Sequence, residues 1–165
     1  MKLPAPRLRL AVVLIVLLAA HFWLRPRVFH DRFAPDFVFV ALLFFAIRSR
    51  PGAGAVAGFV VGLLIDAVAP TTFGAAAFAL TIIGYAAGWL KAVVFPDNLL
   101  VTATFVFAAS WVRDLLELTV SSALRSGSLT SQLLWFSPAS ALSTAAAALV
   151  TLILFRGWLR LAPAL

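Results

Sequence analysis

Six apolar stretches, separated by short polar breaks, constrain this chain more than any other feature. All but the second approach the ~17–25 residues that a helix needs to cross about 30 Å of hydrocarbon. Lipid offers no hydrogen bonds to a backbone, so each crossing segment must be helical. The sequence therefore predicts an all-α integral membrane protein, a six-transmembrane-helix bundle in one domain over residues 1–165. The predicted spans are residues 8–24, 34–47, 53–69, 73–95, 99–122 and 138–159.

Composition argues against a soluble protein. Hydrophobic residues make up 64% of the chain and charged residues 12%, against about half and a quarter in average globular proteins. The net charge of +7 would favour nucleic acid as the partner of a soluble protein. Here the basic residues lie at the ends of apolar stretches, where they set membrane topology. We therefore expect contact with the lipid bilayer and no nucleic-acid binding.

Two of the stretches leave an alternative open. The first has the basic start and apolar run of a cleaved signal peptide. His21, Phe22 and Trp23 continue the run beyond Ala19-Ala20, so we interpret it as a retained first helix. The second stretch is short, and it either borrows residues 33–35 or thins the bilayer around it.

The distribution of basic residues predicts the orientation. Six spans place both termini on one side, and cytoplasmic loops are enriched in lysine and arginine. With both termini cytoplasmic, eight basic residues lie inside and four outside, which favours this orientation. The inner residues are Lys2, Arg7, Arg9, Arg48, Arg50, Lys91, Arg156 and Arg160, and the outer residues are Arg25, Arg27, Arg32 and Arg125.

Small residues recur at intervals of four in three stretches. Such residues share one slowly winding face of a helix, and small side chains let a second backbone approach closely. Two interpretations remain open for these stripes: packing between the spans themselves, or docking of a partner's membrane helix. The stripes are Gly54, Gly58, Gly62 and Asp66; Gly84 and Gly88; and Ser140, Thr144 and Ala148.

Charged residues within the spans form a second candidate site, because such residues are costly in lipid. Counting ~1.5 Å per residue places five of them at one depth near the outer surface. They are either a self-neutralising belt or a polar pocket or docking surface that opens outward. In the first case Arg113 pairs with Glu117 at i, i+4, and Asp36 caps the second span. This outer polar cluster comprises Asp36, Asp66, Arg113, Asp114 and Glu117.

No pattern of catalytic residues stands out. The chain lacks cysteine, and it contains no nucleophile elbow, zinc-binding His-Glu-x-x-His helix or phosphate loop. His21 and His30 are isolated, and a two-aspartate protease would rest only on the shared depth of Asp66 and Asp114. We therefore expect no enzymatic activity, no metal and no cofactor.

The segment from Pro35 to Leu90 carries several short motifs in order. They are Pro35-Asp36, Arg48 and Arg50, Gly58 and Gly62-Leu63-Leu64-Ile65-Asp66, Gly74, and Gly84-Tyr85-x-x-Gly88. In this order and spacing the segment resembles the rod shape-determining protein MreD family. That family has Pro-Asp before a short apolar helix, a basic pair, a helix that ends Gly-Leu-Leu-x-Asp, a turn with a glycine, and a helix with Gly-Tyr-x-x-Gly. The Pro70-Thr71-Thr72 turn departs from the family's Ser-Gly type.

This resemblance implies a non-catalytic subunit of the bacterial cell-wall elongation complex in the inner membrane. The implied direct partner is MreC, a single-span protein. The MreB filament and a RodA-type synthase with its transpeptidase are implied as indirect partners. The family is also similar in fold to the substrate-binding subunits of energy-coupling-factor transporters, which leaves a vitamin-type transport subunit as the alternative function.

Overall fold

The computed structural model describes residues 6–23, 34–68, 74–90, 99–124 and 137–159. Within these ranges the chain forms helices and no strand, as predicted, and each predicted span overlaps one helix. Whether each helix crosses the bilayer, and where each span ends, stays a prediction. The helices are α1 (Pro6–Trp23), α2 (Phe37–Arg48), α3 (Pro51–Val68), α4 (Ala75–Leu90), α5 (Leu99–Leu124) and α6 (Ser137–Leu159).

The shortest helix, α2, lies at the centre of the bundle. It packs against all five of the others. Eight of its 12 residues are buried, and its Leu43, Phe39 and Phe44 are among the largest fully buried side chains. Twelve residues make a helix of only about 18 Å. Because other helices surround α2, most of its surface contacts protein. Whether its span borrows residues 33–35 or thins the bilayer stays a prediction.

The helices around α2 differ in length and exposure. By length and apolar composition alone, Pro51–Val68 and Ser137–Phe155 are sufficient to cross a membrane, whereas Leu8–Trp23, Phe37–Arg48 and Ala75–Leu90 are shorter apolar helices. Of the 18 residues of α3, only four are buried. Large apolar side chains such as Phe59 and Leu64 cover its remaining surface. An apolar exterior of this kind suits a lipid environment.

Two further contacts close the bundle. α5 and α6 form an antiparallel pair that packs on α2, and α1 packs on α2 and α6. Val13 and Leu17 of α1 are buried in the same core as Val106 of α5 and Ala148 of α6. Several residues used above lie outside the described ranges: His30, the loop arginines Arg25, Arg27, Arg32 and Arg125, Lys91, Arg160 and the Pro70-Thr71-Thr72 turn.

Candidate functional site

Glycines hold α3 and α4 at backbone contact. A methyl group added at Gly54 would overlap the carbonyl of Gly84, and one added at Gly84 would overlap the carbonyl of Gly54. At Gly58 it would overlap the carbonyl of Leu80. Backbone atoms cannot move aside as the tip of a side chain can, so each of these positions excludes every larger residue while the helices stay this close.

The same contact continues to both ends of the pair. An added methyl group at Gly62 would overlap the backbone of Ala77, and one at Gly88 would overlap the backbone of Pro51. All five glycines predicted for packing or docking therefore face the partner helix within this chain. Because α4 covers the α3 stripe, a partner's membrane helix has no room along it.

The stripe on α6 also faces inward. Thr144 is 3% exposed and Ala148 is fully buried, while Ser140 is half-buried. The contacts of all three stripes therefore correspond to the first interpretation, packing between the spans themselves. Small residues commonly allow membrane helices to approach one another closely in this way.

Asp66 ends the α3 stripe and caps α4. Its Oδ1 accepts a hydrogen bond from the backbone N–H of Ala76 at 3.1 Å, and its Oδ2 accepts one from Ala77 at 2.9 Å. Gly74, with φ of 95°, makes the turn that presents these amides. The first N–H groups of a helix lack intrahelical partners and attract negative charge. Two backbone donors therefore satisfy the Asp66 side chain, although only 1% of the residue is exposed.

Arg113 of α5 is the centre of a separate group of charges. Its Nη1 donates to Asp36 Oδ2 at 2.6 Å, and its Nη2 donates to Asp114 Oδ1 at 3.0 Å. Its Nε lies 3.6 Å from Glu117 Oε1, and its guanidinium stacks 4.8 Å above the Phe39 ring. One cation therefore faces three carboxylates, in a position where its own side chain is only 17% exposed.

Polar groups of α1, α2 and α6 complete this arrangement. Asp36 caps α2 as expected, by accepting from the N–H of Phe39 at 3.0 Å, and its own N–H donates to Thr144 Oγ1 at 3.2 Å. His21 Nδ1 lies 3.8 Å from Asp36 Oδ1. On the other side, Ser137 Oγ donates to Asp114 Oδ2 at 2.6 Å. Four helices therefore meet at these charges.

The structure joins four of the five predicted cluster residues by ion pairs, whereas the hydrogen bonds of the fifth, Asp66, go to another helix. Asp36, Arg113, Asp114 and Glu117 form the group, which we call the Arg113 cluster, whereas Asp66 makes its hydrogen bonds at the start of α4. Depth alone cannot distinguish neighbours around the axis of a bundle, which is why the sequence grouped all five.

Sequence analysis also missed several polar residues that contact the Arg113 cluster: Ser137, Thr144 and His21. Ser137 and Thr144 carry no motif. Ser137 lies just before the predicted sixth span, and Thr144 belongs to one of the small-residue stripes. His21 was interpreted as an isolated surface group. The one signal for their role was that the charged residues within the spans need polar partners.

The described helices, with large apolar side chains on their exposed surfaces and a buried group of charges between them, form an arrangement typical of helical membrane proteins. The chain matches the family of the rod shape-determining protein MreD over residues 6–161. It belongs to that family. Comparison with curated proteins gave no match, and comparison with solved structures gave none either.

The family assignment confirms the resemblance and extends it beyond the segment that suggested it. The motif from Gly58 to Gly88 corresponds in this structure to one physical unit, the close pair α3–α4 with its Asp66 cap. The family makes this a membrane protein that determines rod shape. The expected likeness to energy-coupling-factor subunits has no support, since no solved structure matched.

Proposed function

We propose that this protein is a non-catalytic membrane subunit of the cell-wall elongation complex, which binds an MreC-like single-span protein and thereby helps to maintain cell shape. The observation that carries the proposal is the family match over residues 6–161, nearly the whole chain. The MreB filament and a RodA-type synthase with its transpeptidase are the indirect partners.

The packing of the chain suits a role in assembly. Its small-residue stripes and its charged residues are used to hold its own helices together, around a central helix that contacts all the others. A bundle closed in this way presents a fixed surface, and a fixed surface lowers the entropic cost of binding a partner.

Depletion and co-purification test this function together. Loss of the protein should turn rod-shaped cells round, and the tagged protein should retain the MreC-like partner when membranes are solubilised in mild detergent. Cells that keep their width, together with a protein that retains no single-span partner, would contradict the proposal.

We further propose a multi-pass arrangement in the bacterial inner membrane with both termini cytoplasmic. The eight-to-four distribution of basic residues supports it. Reporter fusions after Leu165 and within residues 127–131 provide the test. A periplasmic reporter that is active at Leu165 would exclude this orientation.

A further inference from the structure

The Arg113 cluster holds more negative than positive charge, and one of its carboxylates is poorly satisfied. Within the described part of the chain, Glu117 accepts no hydrogen bond, and its closest cation is Arg113 Nε at 3.6 Å. That nitrogen already donates to Asp114 Oδ1. Asp36 and Asp114 have further donors in Phe39 and Ser137. Glu117 is therefore the carboxylate of the cluster with capacity to bind another cation.

A second incompletely satisfied polar group lies one turn deeper on α5. Ser110 is 2% exposed, and its Oγ has no hydrogen-bond partner in the described structure. It precedes Arg113 and Asp114 by three and four residues, so it lies on the same face of α5. Buried polar groups are nearly always satisfied, so Ser110 is a second polar group of α5 with capacity for a further hydrogen bond.

The exposure pattern of α5 indicates where this cluster is accessible. Trp111, Val112 and Leu115, on the opposite face, are each more than 40% exposed and form the lipid-facing side. Glu117 lies on the inward face, with Ser110 and Arg113, yet its side chain is 33% exposed. The cluster therefore opens at the end of the bundle, where α2 and α6 begin, rather than through the side of α5.

We propose that Glu117 receives a basic side chain, a lysine or an arginine, from a partner segment that crosses this end of the bundle. The inference rests on the proposed function, because it takes the occupant to come from the single-span partner proposed above. Charge complementarity selects the occupant, since three carboxylates face one guanidinium. The site is a recognition point in addition to whatever apolar contacts the partner helix makes.

Removal of the Glu117 charge tests this directly. In the full-length protein, Glu117→Gln keeps the size of the side chain and should weaken retention of the partner about three- to tenfold, the range for one polar contact between membrane helices. Glu117→Lys should weaken it further. Replacement of the partner's basic residue by glutamate should restore binding to the Glu117→Lys variant. Thr119→Val, at the same end of α5 but on its exposed face, is the matched control and should retain the partner fully.

The outcomes separate this inference from the function on which it rests. If the wild type and Glu117→Gln retain the partner equally, the inference fails and the proposed function stands. If the wild type retains no single-span partner, both fail. If Glu117→Gln lowers the melting temperature of the isolated protein, but no longer does so once Arg25, Arg27, Arg32 and Arg125 are replaced by glutamine, an arginine of the chain itself supplies the charge, and the inference is overturned; loss of the Arg113–Glu117 pair would lower it in both backgrounds. A melting temperature that rises with sodium or magnesium in the wild type only would assign the site to a small cation and would also overturn it.

Discussion

The pairs α3–α4 and α5–α6 are both antiparallel helix pairs, yet opposite means hold them together. In α3–α4 the glycines bring backbone against backbone, and the one charged residue, Asp66, is satisfied by two amides of the neighbouring helix. In α5–α6 the hydroxyl of Ser137 and the Arg113 cluster link side chains at one end. The first pair is complete in itself, whereas the second leaves Glu117 and Ser110 incompletely satisfied. We infer that the first pair is a structural unit and the second is where the protein meets other molecules.

Gly58→Ala should cause the largest loss of stability. A stable variant would contradict the conclusion that backbone contact holds α3 and α4 together. The new methyl group overlaps the Leu80 carbonyl, so the two helices must separate, at an expected cost of about 3 kcal/mol, the upper end of the usual range, because backbone rather than a side chain has to move. Thermal unfolding in detergent measures this cost. Gly52→Ala is the matched control: its methyl group meets nothing within 4 Å, so the variant should unfold at the wild-type temperature or slightly above it.

Arg113→Met should come next, because it leaves three carboxylates in the bundle without their cation. Removal of one partner from a buried charge network costs about 3 kcal/mol. Arg113→Lys keeps the charge but cannot reach Asp36 and Asp114 with the same fork of donors, and should fall between the wild type and methionine. An Arg113→Met variant as stable as the wild type would mean that the Arg113 cluster does not hold the four helices together.

Asp66→Asn should have a smaller effect. The asparagine oxygen can still accept from one of the two backbone N–H groups, those of Ala76 and Ala77. The other N–H then faces the NH₂ group of the asparagine, which cannot accept a hydrogen bond. We expect a loss of about 1–2 kcal/mol, the usual range for a helix cap. If Asp66→Asn instead reduced partner binding without loss of stability, the division between a structural pair and a binding pair would be wrong.

Thr144→Val should show the smallest effect, and it sharpens the account of the second pair. The hydroxyl accepts from the Asp36 N–H across helices, and such bonds in membrane proteins average about 0.6 kcal/mol. Thr104→Val is the control, since the Thr104 hydroxyl donates to the Leu100 carbonyl of its own helix. Equal melting temperatures for the two variants would show that the Asp36–Thr144 hydrogen bond does not stabilise the protein.

The sequence predicted the helices well because lipid imposes one rule on every span: its backbone bonds must close within the helix. It predicted the glycine positions but not their use, since a small-residue stripe has the same spacing whether its partner is α4 or another protein. The central position of α2 could have been predicted from its length, because apolar helices of 10–14 residues are commonly core helices.

The candidate site was harder to predict for a physical reason. The approximate depth of Arg113, Asp114 and Glu117 follows from counting residues along α5, but the position of a residue around the bundle depends on which helices are neighbours. Asp66 shares the depth and lies on another helix pair. Ser137 and Thr144 entered the site only through the register of α6 against α5 and α2, which the residues of α6 alone do not determine.

Site-specific cross-linking in native membranes tests the central claim most directly, since the chain contains no cysteine. One variant carries Val120→Cys, one turn beyond Glu117 on α5, and the other carries Leu64→Cys, on the exposed face of α3. Each is labelled with a photoreactive maleimide and illuminated in membranes that contain the MreC-like partner. The account predicts an adduct with the partner from Val120→Cys and none from Leu64→Cys. An adduct from Leu64→Cys alone would place the partner on α3 and contradict the account.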